Sequence, residues 1–328
     1  GVSSITRKAY NEKDLQLSNI DFSKDMSKMT FSLGGGDFEY NMKTKDFSFE
    51  IAEIKFRYVY AEPIEISENS TIHNFITQNR DDCDVINDIF ISPNIYDECV
   101  TDGKPIFQAP AWSLYSSFVV FHPNGELIAK MVYDVSFHRV KTYIKDLSFT
   151  MHPLPICITG FLLQRILVER EMGFIMHGAV IRIKENAFVL TGNSGVGKST
   201  LSSIFSKYSE CERISDDRYI LIKKEDGYYA YGNPFDTKAE RNLNKGVKID
   251  SIFFLHHAKQ NSFERVSNKI KMKKMLTVSM LPYWKKEYLS WSVMALAEIT
   301  ERLNVIDLFF VPSGDIVSFM SDNKLIIA

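Results

Sequence analysis

Hydrophobic and polar residues alternate over residues 47–51 (Phe-Ser-Phe-Glu-Ile), the signature of a half-buried strand, and residues 54–60 continue in the same manner. Residues 32–38 read as strand, turn and strand around the glycines at 34–36. Two further apolar runs, 118–121 and 127–133, flank His122-Pro123-Asn124-Gly125 and predict a β-hairpin with a four- or five-residue loop; 143–149 predicts one more strand. Between these runs, residues 61–104 scatter Asp81, Asp82, Asp84, Asp88, Asp97 and Glu98 without calcium-loop spacing, and read as an irregular, solvated surface. Residues 1–150 are therefore expected to form a β-rich domain without a catalytic constellation of its own, a module for substrate or partner.

The period changes near residue 150. Met151-His152-Pro153-Leu154-Pro155 is rich in breakers, and Phe161, Leu162, Leu163, Ile166, Leu167 and Met172 then mark an amphipathic helix with Gly173 as its stop. Residues 174–183 predict a strand, 184–186 a turn, and 187–191 a buried strand, so that a hairpin leads into the glycine-rich stretch after 191. Beyond it, Leu201, Ile204, Phe205 and Tyr208 fall on one helical face. Strands are predicted at 219–222, 228–231, 252–255 and 305–311, a long loop from 232 to 248, and helices at 270–281 and 289–303. The fold class is α/β of the α+β kind: residues 151–328 form a mixed-sheet domain behind the β-rich one.

Composition narrows the partners. With 45% hydrophobic and 24% charged residues in 328, and a formal net charge of −2, the chain is an ordinary globular one without global attraction for nucleic acid or an anionic membrane. Cys83, Cys99, Cys157 and Cys211 form no C-x-x-C pair and read as reduced thiols. No apolar leader opens the chain and no run reaches transmembrane length, so the expected location is cytoplasmic.

The chemistry concentrates after residue 191. Gly192-Asn193-Ser194-Gly195-Val196-Gly197-Lys198-Ser199, followed by Thr200, fits G-x-x-x-x-G-K-[ST] in every position. Such a loop curls backbone N–H groups around phosphate oxygens; Lys198 adds a positive charge, and Ser199 a hydroxyl for the Mg²⁺ that accompanies ATP. No [NT]-K-x-D guanine motif is present. Asp216-Asp217 follows Ser199 at a distance that suits one helix and a return to the sheet. One carboxylate can hold the metal and the other can accept a proton; Asp216 is counted with Ser199 among the metal ligands, and the division of roles stays open. His177, in Met176-His177-Gly178-Ala179 on the preceding strand, can orient that pair or share its proton. His256-His257 read as surface or loop residues, and Lys269, Lys271, Lys273 and Lys274 as a solvated helix face that could also meet a phosphorylated product or an acidic partner.

These three motifs, around His177, Gly192–Thr200 and Asp216-Asp217, resemble the catalytic domain of HPr kinase/phosphorylase and the related P-loop core of ATP-dependent phosphoenolpyruvate carboxykinase. Tyr231-Gly232-Asn233-Pro234-Phe235 is similar to divergent members of that group. The glycine- and arginine-rich second signature of HPr kinases is absent after the aspartates. The resemblance spans about residues 152–315. It implies an ATP- and Mg²⁺-dependent kinase with a hydroxyl acceptor (serine, a peptide or a protein) and raises assembly into a homo-oligomer. Lys198 would contact phosphate, Ser199 and one aspartate the metal, and the other aspartate the acceptor. Acceptor contacts are expected from the 233–245 loop, Glu240 and Arg241 foremost. The competing readings are a nucleotide-binding scaffold without turnover and an ATPase without an acceptor.

Overall fold

The computed structural model describes residues 5–7, 31–33, 36–40, 42–66, 70–78, 82–91, 115–121, 127–134, 136, 138–145, 156–207, 210–235, 242–283 and 285–326. Among these residues it forms nineteen strands and five α-helices. The chain divides into two compact units, Gly1–Phe49 with Lys55–Ile158, and Glu50–Ile54 with Thr159–Ala328. No helix among the described residues is long and apolar enough to cross a membrane.

The first unit is β-structure. Strands β1 (Ile5–Arg7), β2 (Phe31–Leu33) and β3 (Gly36–Tyr40) form an antiparallel sheet in the order β1-β3-β2. A seven-stranded mixed sheet follows, built from β4 (Met42–Ile51), β5 (Ile54–Ile66), β6 (Ile76–Thr77), β7 (Val85–Ile91), β8 (Tyr115–Phe121), β9 (Leu127–Asp134) and β10 (Arg139–Ile144). Its order is β6-β4-β5-β7-β10-β9-β8. Along β5 every second residue from Ile54 to Tyr60 is buried, and Phe56 stacks on Phe49 with ring centroids 5.1 Å apart.

The expectation for 61–104 is corrected here. β5 runs on to Ile66, and β7 is an interior strand, parallel to both β5 and β10. Its alternation was hidden by polar residues within and just before it: Asn87 is buried and accepts a hydrogen bond from Thr142 Oγ1 at 2.8 Å, while Asp84, ahead of the strand, accepts one from the Lys55 amide at 2.8 Å. Asp81, Asp97 and Glu98 lie outside the described residues. β10 also begins and ends earlier than the 143–149 pattern predicts.

The second unit takes in α1 (Ile156–Glu169) from Thr159 onward and continues through β11 (Gly173–His177), β12 (Ala179–Ile183) and β13 (Asn186–Thr191). Then come α2 (Lys198–Phe205), β14 (Cys211–Ser215), β15 (Arg218–Lys224), β16 (Gly227–Tyr231) and β17 (Val247–His257). The chain closes with β18 (Ser262–Arg265), α3 (Asn268–Val278), α4 (Lys286–Arg302), β19 (Asn304–Phe310) and α5 (Asp315–Asp322); neither β18 nor α5 was foreseen from the pattern. Their nine strands form one mixed sheet.

β13 and β17 are its axis. They run parallel to each other, with β12 antiparallel on the far edge of β13. The other edge of β17 pairs first with β16, through residues 247–249, and then with β19, through 251–257. Both strands are buried on two sides. Val189, Ile252 and Phe254 join a core roofed by α3 and α4, whereas Phe188, Leu190, Phe253 and Leu255 join a second core beneath α2 and α5. That double burial explains why both strands read as continuous apolar runs rather than alternating ones. It also fixes the start of α2 at the end of β13, where the glycine loop connects them.

Candidate active site

The loop between β13 and α2 turns through three glycines with positive φ: Gly192 at 140°, Gly195 at 78° and Gly197 at 94°. At Gly197 a side chain would be doubly penalised, because a Cβ would also stand 3.0 Å from Phe310 Cζ and 3.4 Å from His257 Cε1. No side chain caps the first turn of α2, so its leading N–H groups remain open to an anion. Asn193, Ser194, Gly195, Ser199 and Thr200 are exposed, and Val196 is half-buried. Lys198 is the exception, buried with 8% of its surface exposed. Its Nζ donates to the carbonyl oxygens of Gly192 at 3.1 Å and Asn193 at 3.3 Å, folding the side chain over the loop. Burial lowers the Lys198 pKa, and the charges of Asp217 and Asp216 work against that fall.

Asp216 and Asp217 form the turn from β14 to β15. The turn is braced from both sides: Ser215 Oγ and Asn233 Nδ2 each donate to the carbonyl oxygen of Arg218. Asn233 is itself 1% exposed, and its Oδ1 accepts the Phe235 amide at 2.9 Å. Asp216 is buried, whereas the Asp217 side chain is 55% exposed. His177 Nδ1 lies 3.4 Å from Asp217 Oδ1, and Arg218 Nε lies 4.0 Å from Asp217 Oδ2.

His177 reaches Asp217 by a route the sequence pattern does not anticipate. It stands on β11, which pairs with β15 in the register His177 to Arg218, and not on β12, the hairpin partner of the loop strand. The expected single strand 174–183 breaks at Gly178. There the Gly178 N–H donates to the Asp217 carbonyl at 2.8 Å, and a Cβ would come within 2.9 Å of Val189 Cγ1 and 3.1 Å of the Leu190 oxygen. Only glycine lets the chain pass that close to β13. Thr191, the last residue of β13, donates through Oγ1 to the His177 carbonyl at 2.6 Å. Backbone and side-chain bonds thus tie the loop strand, His177 and the aspartate turn together.

Burial is the main cause that lowers the His177 pKa; the Lys198 charge adds to it, and Asp217 opposes both. The imidazole is uncharged near neutrality as a result. A depressed folded-state pKa means the unfolded chain binds the proton more readily. The stability gained is complete above the ordinary value of 6.5 and is lost as pH falls through the folded value. A His177→Gln protein is expected to lose less of its thermal midpoint than the parent when the pH is taken below about 6.5, as followed by circular dichroism.

A cleft of about 780 Å³ opens beside the loop. His177 and the loop residues Gly192–Ser194 form one side, the end of β17 its floor, and α3 the other side. His256 and His257 are therefore not loop residues: they end β17, line the cleft, and stack on Phe309 and Phe310 at 4.8 and 5.4 Å. Lys273 and Lys274 also line it. Ser215, Thr191 and Asn233 were given no role in the sequence reading, because each acts by bracing a backbone carbonyl. Glu240 and Arg241 lie outside the described residues.

No family model matches the chain, and no curated protein matches it in sequence. Among solved structures, it is similar to the Hpr(Ser) kinase/phosphatase from Coxiella burnetii, at 11% identity over 46% of this chain and 95% of that one, with a TM-score of 0.28. At that score the likeness is a distant structural relationship and carries no functional weight.

Proposed function

We propose that the chain is an ATP- and Mg²⁺-dependent phosphotransferase of the HPr kinase type, which moves the terminal phosphate to a hydroxyl acceptor. The observation that carries this reading is the Asp217–His177 pair, a half-exposed carboxylate held 3.4 Å from an imidazole beside the Lys198 loop. A loop that only bound nucleotide would need no such group.

Each residue has a part that its surroundings support. The loop amides and α2 receive the phosphates, and Lys198 turns its Nζ from the Gly192 and Asn193 carbonyls to the outer phosphate oxygens. Ser199 and Asp216 are hard oxygen donors suited to Mg²⁺, an ion that keeps several waters and asks little of the protein. When bound, Mg²⁺ would neutralise charge on the transferring phosphate. Asp217 is accessible and takes the acceptor's proton as the hydroxyl oxygen bonds to the terminal phosphorus. The bond from that phosphorus to the β–γ bridging oxygen breaks, and its electrons leave with ADP. His177, with Nδ1 3.4 Å from Asp217 Oδ1, stands close enough to orient the carboxylate without removing its basicity.

The test is incubation with γ-labelled ATP, Mg²⁺ and a panel of hydroxyl acceptors comprising free amino acids, hydroxy acids, serine peptides and HPr. Label is expected on an acceptor. Label recovered solely as free phosphate would replace the kinase with an ATPase, and nucleotide binding without any turnover would replace it with a scaffold.

A further inference from the structure

Three of the lysines on α3, Lys271, Lys273 and Lys274, separate by direction. Lys271 donates to the Thr300 carbonyl at 3.3 Å, toward α4. Lys274 Nζ lies 2.8 Å from Asp307 Oδ1, which also meets His256 Nε2 at 3.1 Å, and stands over the Phe254 ring at 5.1 Å. Lys273 is exposed and pairs with no carboxylate among the described residues. It nevertheless lines the cleft beside the loop.

The side of α3 that meets the cleft is one helical face, Ile270, Lys273, Lys274, Thr277 and Val278, at spacings of three and four. Met272, Met275 and Leu276 turn the other way into the core. The described residues that line the cleft include no aspartate or glutamate, while Lys273 and Lys274 supply positive charge; the Thr277 hydroxyl is given to the Lys274 carbonyl at 2.6 Å. Ile270 on the same face is 45% exposed, an apolar surface that a ligand's carbon skeleton would cover. At its far side the cleft is bordered by His177, the partner of Asp217. Through His177 the cleft adjoins the aspartate turn, and it offers room for the atoms of a molecule whose hydroxyl reaches Asp217. The volume is that of a small-molecule site.

We propose that the acceptor is a small anionic hydroxyl compound whose oxyanion, a carboxylate or a phosphate, is held by Lys273. This rests on the kinase reading for the role of the site, but the binding it requires can be measured without turnover. Lys274 is committed to Asp307 and sets the wall; Lys273 is the unspent charge. The reaction is the transfer already written, with the acceptor proton passing to Asp217 and ADP leaving.

The experiment is calorimetric titration of the protein, loaded with Mg²⁺ and a non-hydrolysable ATP analogue, with glycerate, glycerol 3-phosphate and glycerol. One of the two anions is expected to bind at least about tenfold more tightly than glycerol, and which one does so tells carboxylate from phosphate recognition. Lys273→Ala should lose about tenfold of that preference, Lys273→Arg should keep most of it, and the affinity for the nucleotide analogue should not move. Equal binding of all three probes, or binding of none, overturns the proposal. So does a Lys273→Ala protein that loses nucleotide affinity instead, since the α3 wall would then belong to the donor, and so does selective binding of an acidic serine peptide over every small anion. Anion selectivity without label transfer to any acceptor would remove the kinase reading and leave the anion site standing; transfer without anion selectivity would do the reverse.

Discussion

An Asp217→Asn protein is expected to bind ATP as the parent does and to transfer phosphate about 10²–10⁴-fold more slowly, the range lost with a general base. The amide is isosteric, the side chain is half exposed, and the Asp217 backbone carbonyl that receives the Gly178 N–H is untouched, so the fold should persist. Single-turnover transfer measured beside fluorescent-nucleotide binding separates the two effects. Asp216→Asn provides the contrast. Its carboxylate is buried, so the change should appear as a higher Mg²⁺ requirement rather than as a lost base. Exchange of the two phenotypes would swap the residues' roles, and full transfer in both proteins would sink the assignment of either to the chemistry.

Lys198→Met should be the other large loss. Methionine matches the length of the buried stem but cannot serve the phosphates. Nucleotide affinity is expected to fall about 10–100-fold, the worth of a charge-assisted hydrogen bond, and transfer by about 10²–10³-fold. The same substitution has a consequence that needs no nucleotide. Lys198 is one of the charges that hold the His177 pKa down, so in Lys198→Met the imidazole should titrate at higher pH than in the parent, as followed by NMR. An unmoved His177 titration would mean that the Lys198 charge does not reach the Asp217 pair, and the proposed site would lose its coherence.

The parts of the site that were legible in the sequence are those whose chemistry is local. The loop residues Gly192–Ser199 are contiguous, their glycines do take the positive φ angles such a loop demands, and the apolar run of β13 needs no partner to be recognised. The helices α3 and α4 were likewise visible from their spacing. What failed was whatever depends on partners distant in the chain. Met176-His177-Gly178-Ala179 is apolar enough to pass for the middle of one strand; that Gly178 changes sheet neighbours shows up in the pairing of β11 with β15 and of β12 with β13. β7 was masked because Asn87 finds its hydrogen-bond partner on β10, 55 residues further on. His256 and His257 fell beyond the hydrophobic stretch that marks β17, yet β19 carries the pairing through both of them. In the lysine run, spacing alone could not say which residue would look along α4, which toward Asp307 and which into the cleft. That depends on how α3 docks on the sheet through Met272, Met275 and Leu276.

Asn233 meets neither nucleotide nor acceptor in this scheme, yet one amide side chain completes the frame of the aspartate turn by giving Nδ2 to Arg218 and taking the Phe235 amide on Oδ1. That dual role closes off the usual substitutions. Aspartate would set a carboxylate against the Arg218 carbonyl, and leucine would strand the Phe235 N–H at a position that is 1% exposed. Drift through chemically similar residues, which a surface loop would tolerate, is therefore barred at a site with no chemistry of its own. In the proposed scheme the freedom to change acceptor lies elsewhere, on the exposed face of α3, where a lysine can be exchanged without disturbing the turn that holds Asp217.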